Sequence, residues 1–196
     1  MNAHPLTRLE GLSRFPAIFL DTCAVVGNYE TRYESAEVQV PVAVRNLSYF
    51  IGALDKFNNL FVTPDIHREI SHFGFHFEVK DPQYFLLRDE FLDKLTKKKK
   101  IKKFESSTEK TAFHKIDSDY FYLKKDYSLT KEDYSILVYA LTSKKSVPTA
   151  IISNDGPMAA AWNKLVLGLH YKAEDFNFFK HITTGTLEQA TLSVRF

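Results

Sequence analysis

The chain of 196 residues is 44% hydrophobic and 26% charged, with a net charge of +2. That is enough chain for one domain with a real core, and too little charge for a nucleic-acid footprint spread over the whole surface. The single cysteine, Cys23, excludes an internal disulfide and reads as a buried structural thiol. With no apolar run of membrane-spanning length and no apolar signal core near the N-terminus, the expected compartment is the reducing cytoplasm.

Taken in order, residues 1–16 read as a polar lead-in ended by Pro16. AIFLDTCAVVG, Ala17 to Gly27, is an unbroken apolar run carrying one carboxylate, Asp21, and one hydroxyl, Thr22. Such a run predicts a strand buried on both faces, ending near Val26. Asp21 would then face the crevice at the strand's carboxyl end, or cap the helix that follows. A loop spans Gly27 to Glu37. From Val40 the apolar residues Val44, Leu47, Ile51 and Leu54 recur at helical spacing, and LFVTP, Leu60 to Pro64, is a short second strand. Asp65 is expected to cap the helix DIHREISHF, which carries Glu69. After the break at Asp81-Pro82, Phe85, Leu86, Leu92 and Leu95 mark another helix.

The composition changes at TKKKKIKKFESSTEK. Lys97, Lys98, Lys99, Lys100, Lys102 and Lys103 repel one another, so this piece is expected to be exposed and mobile. It is a candidate surface for RNA phosphates. Tyr120, Phe121, Tyr122 and Tyr127 follow, either stacking on bases or packing within the segment. SLTKEDYSILVYALTSKK, Ser128 to Lys145, predicts a helix with Thr130 as N-cap and Asp133 at its third position, an acidic capping box. PTAIISND repeats the first strand's design: an apolar run ending in Ser153 and Asp155. Gly156-Pro157 opens a helix, and FNFFKHIT, from Phe176, is a last strand.

The alternation of strands and helices predicts an α/β fold, a three-layer α/β/α arrangement around a mostly parallel twisted sheet. The whole chain would be one domain with an insertion at about 78–127. Asp21, Glu69, Asp133 and Asp155 fall at strand ends and helix starts, which such a sheet can bring to one edge. Four carboxylates there cannot all ionise without counter-charge, and one or two hard divalent cations would supply it. Helix capping is the competing account of these acids, above all for Asp133 and Asp155.

In LDTCAVVG, VTPDIHREI, LTKEDYSILVYAL and AIISND, taken in this order, the sequence resembles the PIN-domain family of metal-dependent ribonucleases. The resemblance implies a PIN-like fold and Mg²⁺ or Mn²⁺ bound by Asp21, Glu69, Asp133 and Asp155, with Thr22 and Ser153 as supporting hydroxyls. It further implies an endoribonuclease acting on single-stranded RNA by attack of water, leaving a 5′-phosphate and a 3′-hydroxyl. Homodimerisation and a regulatory antitoxin partner are also implied. The long stretch between Glu69 and Asp133 departs from the compact toxin-type members. Glu132 stands beside Asp133; Asp133 is chosen because the family's acid begins an apolar D-x-x-I/L pattern.

Other classes fit less well. An aspartyl-phosphate phosphatase needs an acid where Cys23 stands, and there is no Gly-rich dinucleotide turn, P-loop or serine elbow. Glu69, His72 and His76 share a helical face, but Gly74 interrupts it and no cysteine joins, so packing or surface histidines are the reading. The rivals that stand are a non-catalytic PIN-like module binding RNA or protein, and a structure-specific DNA nuclease of the flap type.

Overall fold

The computed structural model describes residues 6–27, 36–73, 81–104, 106–142, 147–172, 175–183 and 186–189. Strands β1 (Leu6–Arg8), β2 (Ala17–Leu20), β3 (Leu60–Phe61), β4 (Thr149–Ile152), β5 (Phe176–Thr183) and β6 (Thr186–Gln189) form one sheet in the order β1-β6-β5-β4-β2-β3. β3, β2, β4 and β5 run parallel, and β6 and β1 close the other side antiparallel. Every residue of β2 and β4 is buried, as expected of parallel strands covered on both faces.

Eight α-helices lie among the described residues: α1 (Thr22–Val26), α2 (Ala36–Lys56), α3 (Pro64–His72), α4 (Pro82–Lys97), α5 (Ser107–Tyr120), α6 (Tyr122–Asp126), α7 (Lys131–Thr142) and α8 (Gly156–Gly168). Strand alternation on β5 separates the two sides of the sheet. Phe176 meets Trp162 of α8 at 6.2 Å between ring centroids, whereas His181 meets Tyr49 and Phe50 of α2 at 6.2 and 5.2 Å. α4 packs on α2, while α7 packs on α8 and carries α5. The arrangement is α/β, compatible with three layers. No helix of the described residues is long and apolar enough to cross a membrane.

Several expectations change. The lead-in is not merely polar: it holds β1 and a 3-10 turn at Leu9–Leu12, and Leu9, Leu12 and Phe15 are buried. The first strand stops at Leu20, six residues early, because the chain turns into α1, whose five residues are all buried. An apolar run has no period to separate strand from buried helix. Gly27 ends α1 at a φ of 100°, a region that disfavours side chains. Thr63, not Asp65, caps α3, accepting from the Ile66 amide at 3.2 Å; Asp65 instead pairs with Arg68 at 2.5 Å. On α4 the buried face is Tyr84, Arg88, Phe91 and Leu95, and Leu86 is among the most exposed apolar side chains.

The lysine run is not a free loop. Lys97 ends α4 and pairs with Asp93 at 2.7 Å, and Lys98 pairs with Asp55 at 2.9 Å. The chain then runs beside β3: Val62 donates to Lys100 O at 3.0 Å and accepts from the Lys102 amide at 2.8 Å. Lys100 is 5% exposed, with Nζ on Asn58 O at 2.6 Å and 5.4 Å from the Phe61 ring centroid. Like-charge repulsion is relieved because the ammonium groups of Lys97, Lys98 and Lys100 find separate partners, and Ile101 is half-buried at the sheet edge. Gly74, His76, Lys144, Lys145 and the chain after Gln189 lie outside the described residues.

Candidate functional site

From β2 the chain passes to β3 on one side and returns to β4 on the other, so the topological switch point lies between β2 and β4. Open α/β sheets bind ligands at the carboxyl edge of such a point. Leu20 and Ile152 end these two strands in register. The ladder continues one step beyond them, Asp21 N donating to Ile152 O at 3.0 Å and Ser153 N to Phe179 O at 2.9 Å. Asp21 and Ser153 are therefore held by the sheet itself.

Asp21 is buried and stands at the N-cap position of α1, yet its side chain caps nothing. Its Oδ2 accepts from Ser153 Oγ at 2.6 Å and from Cys23 Sγ at 2.7 Å. One turn into α3, Glu69 is half-buried, and Thr22 at the start of α1 donates its hydroxyl to Glu69 Oε2. Asp133 opens α7 through a reciprocal box: it accepts from the Thr130 amide at 2.9 Å while its own amide donates to Thr130 Oγ1 at 3.0 Å.

The electrostatics show which acids feel one another's charge. Burial, then the charge of Asp133, pushes the Asp21 carboxyl up to about 6, although the Cys23 and Ser153 hydrogen bonds pull the other way. Burial pushes Glu69 up to about 7, opposed by Thr22 and reinforced by Asp21, Asp133 and Glu132. Desolvation and like charge both disfavour ionised carboxylates. Asp21, Glu69 and Asp133 thus share one electrostatic neighbourhood. Among the described residues no lysine, arginine or histidine pairs with any of the three; Arg68 instead reaches Asp65 and, at 3.7 Å, Glu132.

Asp155 has a different post. Its Oδ1 accepts from the Met158 amide at 2.6 Å, capping α8, and its own amide donates to Ser153 Oγ at 3.0 Å. It touches the cluster through Ser153, at the same sheet edge. The capping account therefore holds for Asp155 and half-holds for Asp133, and it fails for Asp21 and Glu69. His72 is exposed, its Nδ1 2.7 Å from Arg68 O, and so belongs to its own helix.

Two members of the site escaped the sequence reading. Cys23 is buried as expected, but it is a donor to Asp21 and accepts from the Asn154 amide at 3.0 Å, and burial beside Asp21 raises its thiol well above the ordinary range. Asn154 links this corner to β5, its Oδ1 accepting from the His181 amide at 2.8 Å. The spacing Asp21-x-Cys23 was the available signal.

Oxygen donors of this kind suit a hard divalent cation. As they stand, however, no group of three or more His, Cys, Asp or Glu side chains among the described residues is placed to hold a metal ion together. The cluster can hold protons near neutral pH, and it offers uncompensated negative charge to a cation that brings its own waters. Comparison of the chain with known protein families, curated proteins and solved structures gave no match.

Proposed function

We propose that the chain is a PIN-like domain acting as a metal-dependent endoribonuclease. One observation carries this reading: Asp21, Glu69 and Asp133, from three separate parts of the chain, repel one another at the carboxyl edge of the switch point, with no cationic side chain paired to them among the described residues. A buried carboxylate flanked by two half-buried ones is costly without a counter-charge, and the missing charge is the argument for a cation.

Magnesium binds through one or two carboxylates, several waters and a substrate phosphate, so a finished protein cage is not required. Asp21 and Asp133 would hold it, with Glu69 reached directly or through water. A bound Mg²⁺ or Mn²⁺ would supply a more acidic water and neutralise charge at the scissile phosphate. Ser153 and Cys23 orient Asp21, and Thr22 orients Glu69. Burial raises the Glu69 carboxyl to about 7 in the metal-free protein, and a cation bound beside it would lower it and hold it ionised. In hydrolysis the oxygen of water bonds to phosphorus as the P–O3′ bond breaks. The 3′-oxygen takes up a proton, leaving a 5′-phosphate and a 3′-hydroxyl.

The test is incubation with a pooled single-stranded RNA, with and without Mn²⁺ and EDTA, and sequencing of the ends. Metal-dependent cuts bearing 5′-phosphates are expected; RNA left intact with Mn²⁺ present sinks the reading. A second reading, a non-catalytic RNA- or protein-binding module, is favoured by the absence of a ready three-ligand group among the described residues and by the capping duty of Asp155. Binding of RNA without cleavage would select it.

A further inference from the structure

The large apolar side chains most exposed among the described residues are Leu86, Phe121, Tyr122 and Leu167. Three of these four belong to one surface, where the corner between α5 and α6 meets α8. Phe121 is 57% and Tyr122 46% exposed, and each carries a lysine over its ring: Lys124 Nζ lies 5.9 Å from the Phe121 centroid, and Lys164 Nζ 5.5 Å from that of Tyr122. Leu167 follows Lys164 by one turn of α8.

The corner is held firmly. Tyr120, 6.3 Å from Tyr122 between centroids, fits against Gly168 so closely that a Cβ there would come 2.8 Å from its hydroxyl. Phe121 meets Tyr134 edge-on at 5.9 Å, and Tyr134 donates its hydroxyl to Asp117 O at 3.3 Å. Tyr134 is itself buried on α7, so it anchors the corner to that helix without extending the exposed surface.

We propose that this surface seats a single-stranded RNA, with bases stacked on Phe121 and Tyr122 and phosphates against Lys124 and Lys164. The choice of RNA rests on the nuclease reading above; the choice of surface does not. Every base presents a face that stacks on an aromatic ring, and a phosphate accompanies each base, so exposed rings each paired with an ammonium match the repeating unit of a single strand. An apolar protein partner would have to desolvate both ammonium groups without returning a charge to either. Neither Lys124 nor Lys164 has an ion pair among the described residues, in contrast to Lys97 and Lys98 of the lysine run. Asp119 and Asp126 lie in the same stretch, so the field is weak and stacking carries most of the affinity. Two phosphate contacts give a salt slope of only about −1.4.

The experiment measures anisotropy of a short labelled single-stranded RNA against the full chain in EDTA, so that binding is read without metal-dependent cleavage. The Phe121→Ala/Tyr122→Ala variant is expected to bind about 10- to 100-fold more weakly. The Phe121→Tyr/Tyr122→Phe variant, which keeps both ring faces, should bind as the unaltered chain does. Lys124→Ser/Lys164→Ser should flatten the salt slope by about 1.4. Unchanged affinity in the alanine variant, an equal loss in the conservative variant, or no RNA binding by the unaltered chain overturns the proposal. Loss of self-association without loss of RNA affinity also overturns it, marking the surface as a protein contact. Patch-dependent binding with no Mn²⁺-dependent cleavage would keep this surface and remove the nuclease reading; cleavage with no dependence on the patch would do the reverse.

Discussion

Ser153 donates its hydroxyl to Asp21 Oδ2 across 2.6 Å, joining the ends of two adjacent parallel strands that are 132 positions apart in the chain. The same oxygen of Ser153 accepts from the Asp155 amide at 3.0 Å, so one side chain ties the buried acid to the cap of α8. Removing it disturbs both the charge state of Asp21 and the start of a helix. Ser153→Ala is expected to raise the Asp21 carboxyl further, since the lost hydrogen bond favours the ionised form. It should cost about 1–3 kcal/mol of stability at pH 8, a charge-assisted hydrogen bond having been lost in a buried place. Urea unfolding reads the stability and carbon NMR reads the titration; an unmoved Asp21 would discount the hydrogen bond.

The raised carboxyls make stability depend on pH in a definite direction. A carboxyl that titrates higher folded than unfolded holds its proton more tightly in the native state. Asp21 at about 6 and Glu69 at about 7, against ordinary values near 4, therefore lower stability as pH rises from about 4 to 7 in metal-free protein. Buried His181 works in the opposite sense. It titrates at about 4 in the fold, so the unfolded chain takes its proton first and stability falls as pH drops below about 6.5. The difference between variants isolates the site. Asp21→Asn should match the unaltered protein near pH 4 and be more stable by about 1–3 kcal/mol at pH 8 in EDTA. Equal stability at both pH values would show that Asp21 bears no electrostatic penalty.

Divalent ions test the proposed counter-charge without any substrate. Millimolar Mn²⁺ should raise the melting temperature by linkage at pH 8, and less at pH 6, where protons compete for the same carboxylates. The gain should disappear in Asp21→Asn/Asp133→Asn. In Asp155→Asn it should be largely retained, because that side chain caps α8 and asparagine caps a helix about as well as aspartate. A shift surviving in the double variant would place the ion elsewhere.

Within the lysine run the six side chains should behave unequally. Lys100→Ala removes a half-apolar stem packed on Phe61 and a hydrogen bond to Asn58 O, and should cost about 1–2 kcal/mol. Lys99→Ala and Lys103→Ala alter exposed side chains and should stay within about 0.5 kcal/mol. Thermal unfolding of the three variants decides this; equal, small effects would show Lys100 to be an ordinary surface lysine.

Local pattern was enough to read the α/β class, the capping box of Thr130 and Asp133, and the acid-bearing ends of the two central strands. These follow from period, propensity and capping, which neighbouring residues decide. Tertiary structure decided the rest, because it depends on which ends the sheet brings together. The turn of Thr22 to Val26 into helix, rather than further strand, is set by burial beneath α2 and α3, since an apolar run suits either state. The separation of Asp155, a helix cap, from Asp21 and Glu69, which cap nothing, depends on where each carboxylate finds its donors. Cys23 enters the site only because β4 lies beside β2 and carries Ser153 and Asn154 to it. The lysine run reads as a repelling coil until its partners are in place. Asp93 lies one turn back on α4, but Asp55 comes from the last turn of α2 and Asn58 from the turn after it, and the edge of β3 gives the backbone its ladder. Charge repulsion is a property of the segment; its compensation is a property of the fold.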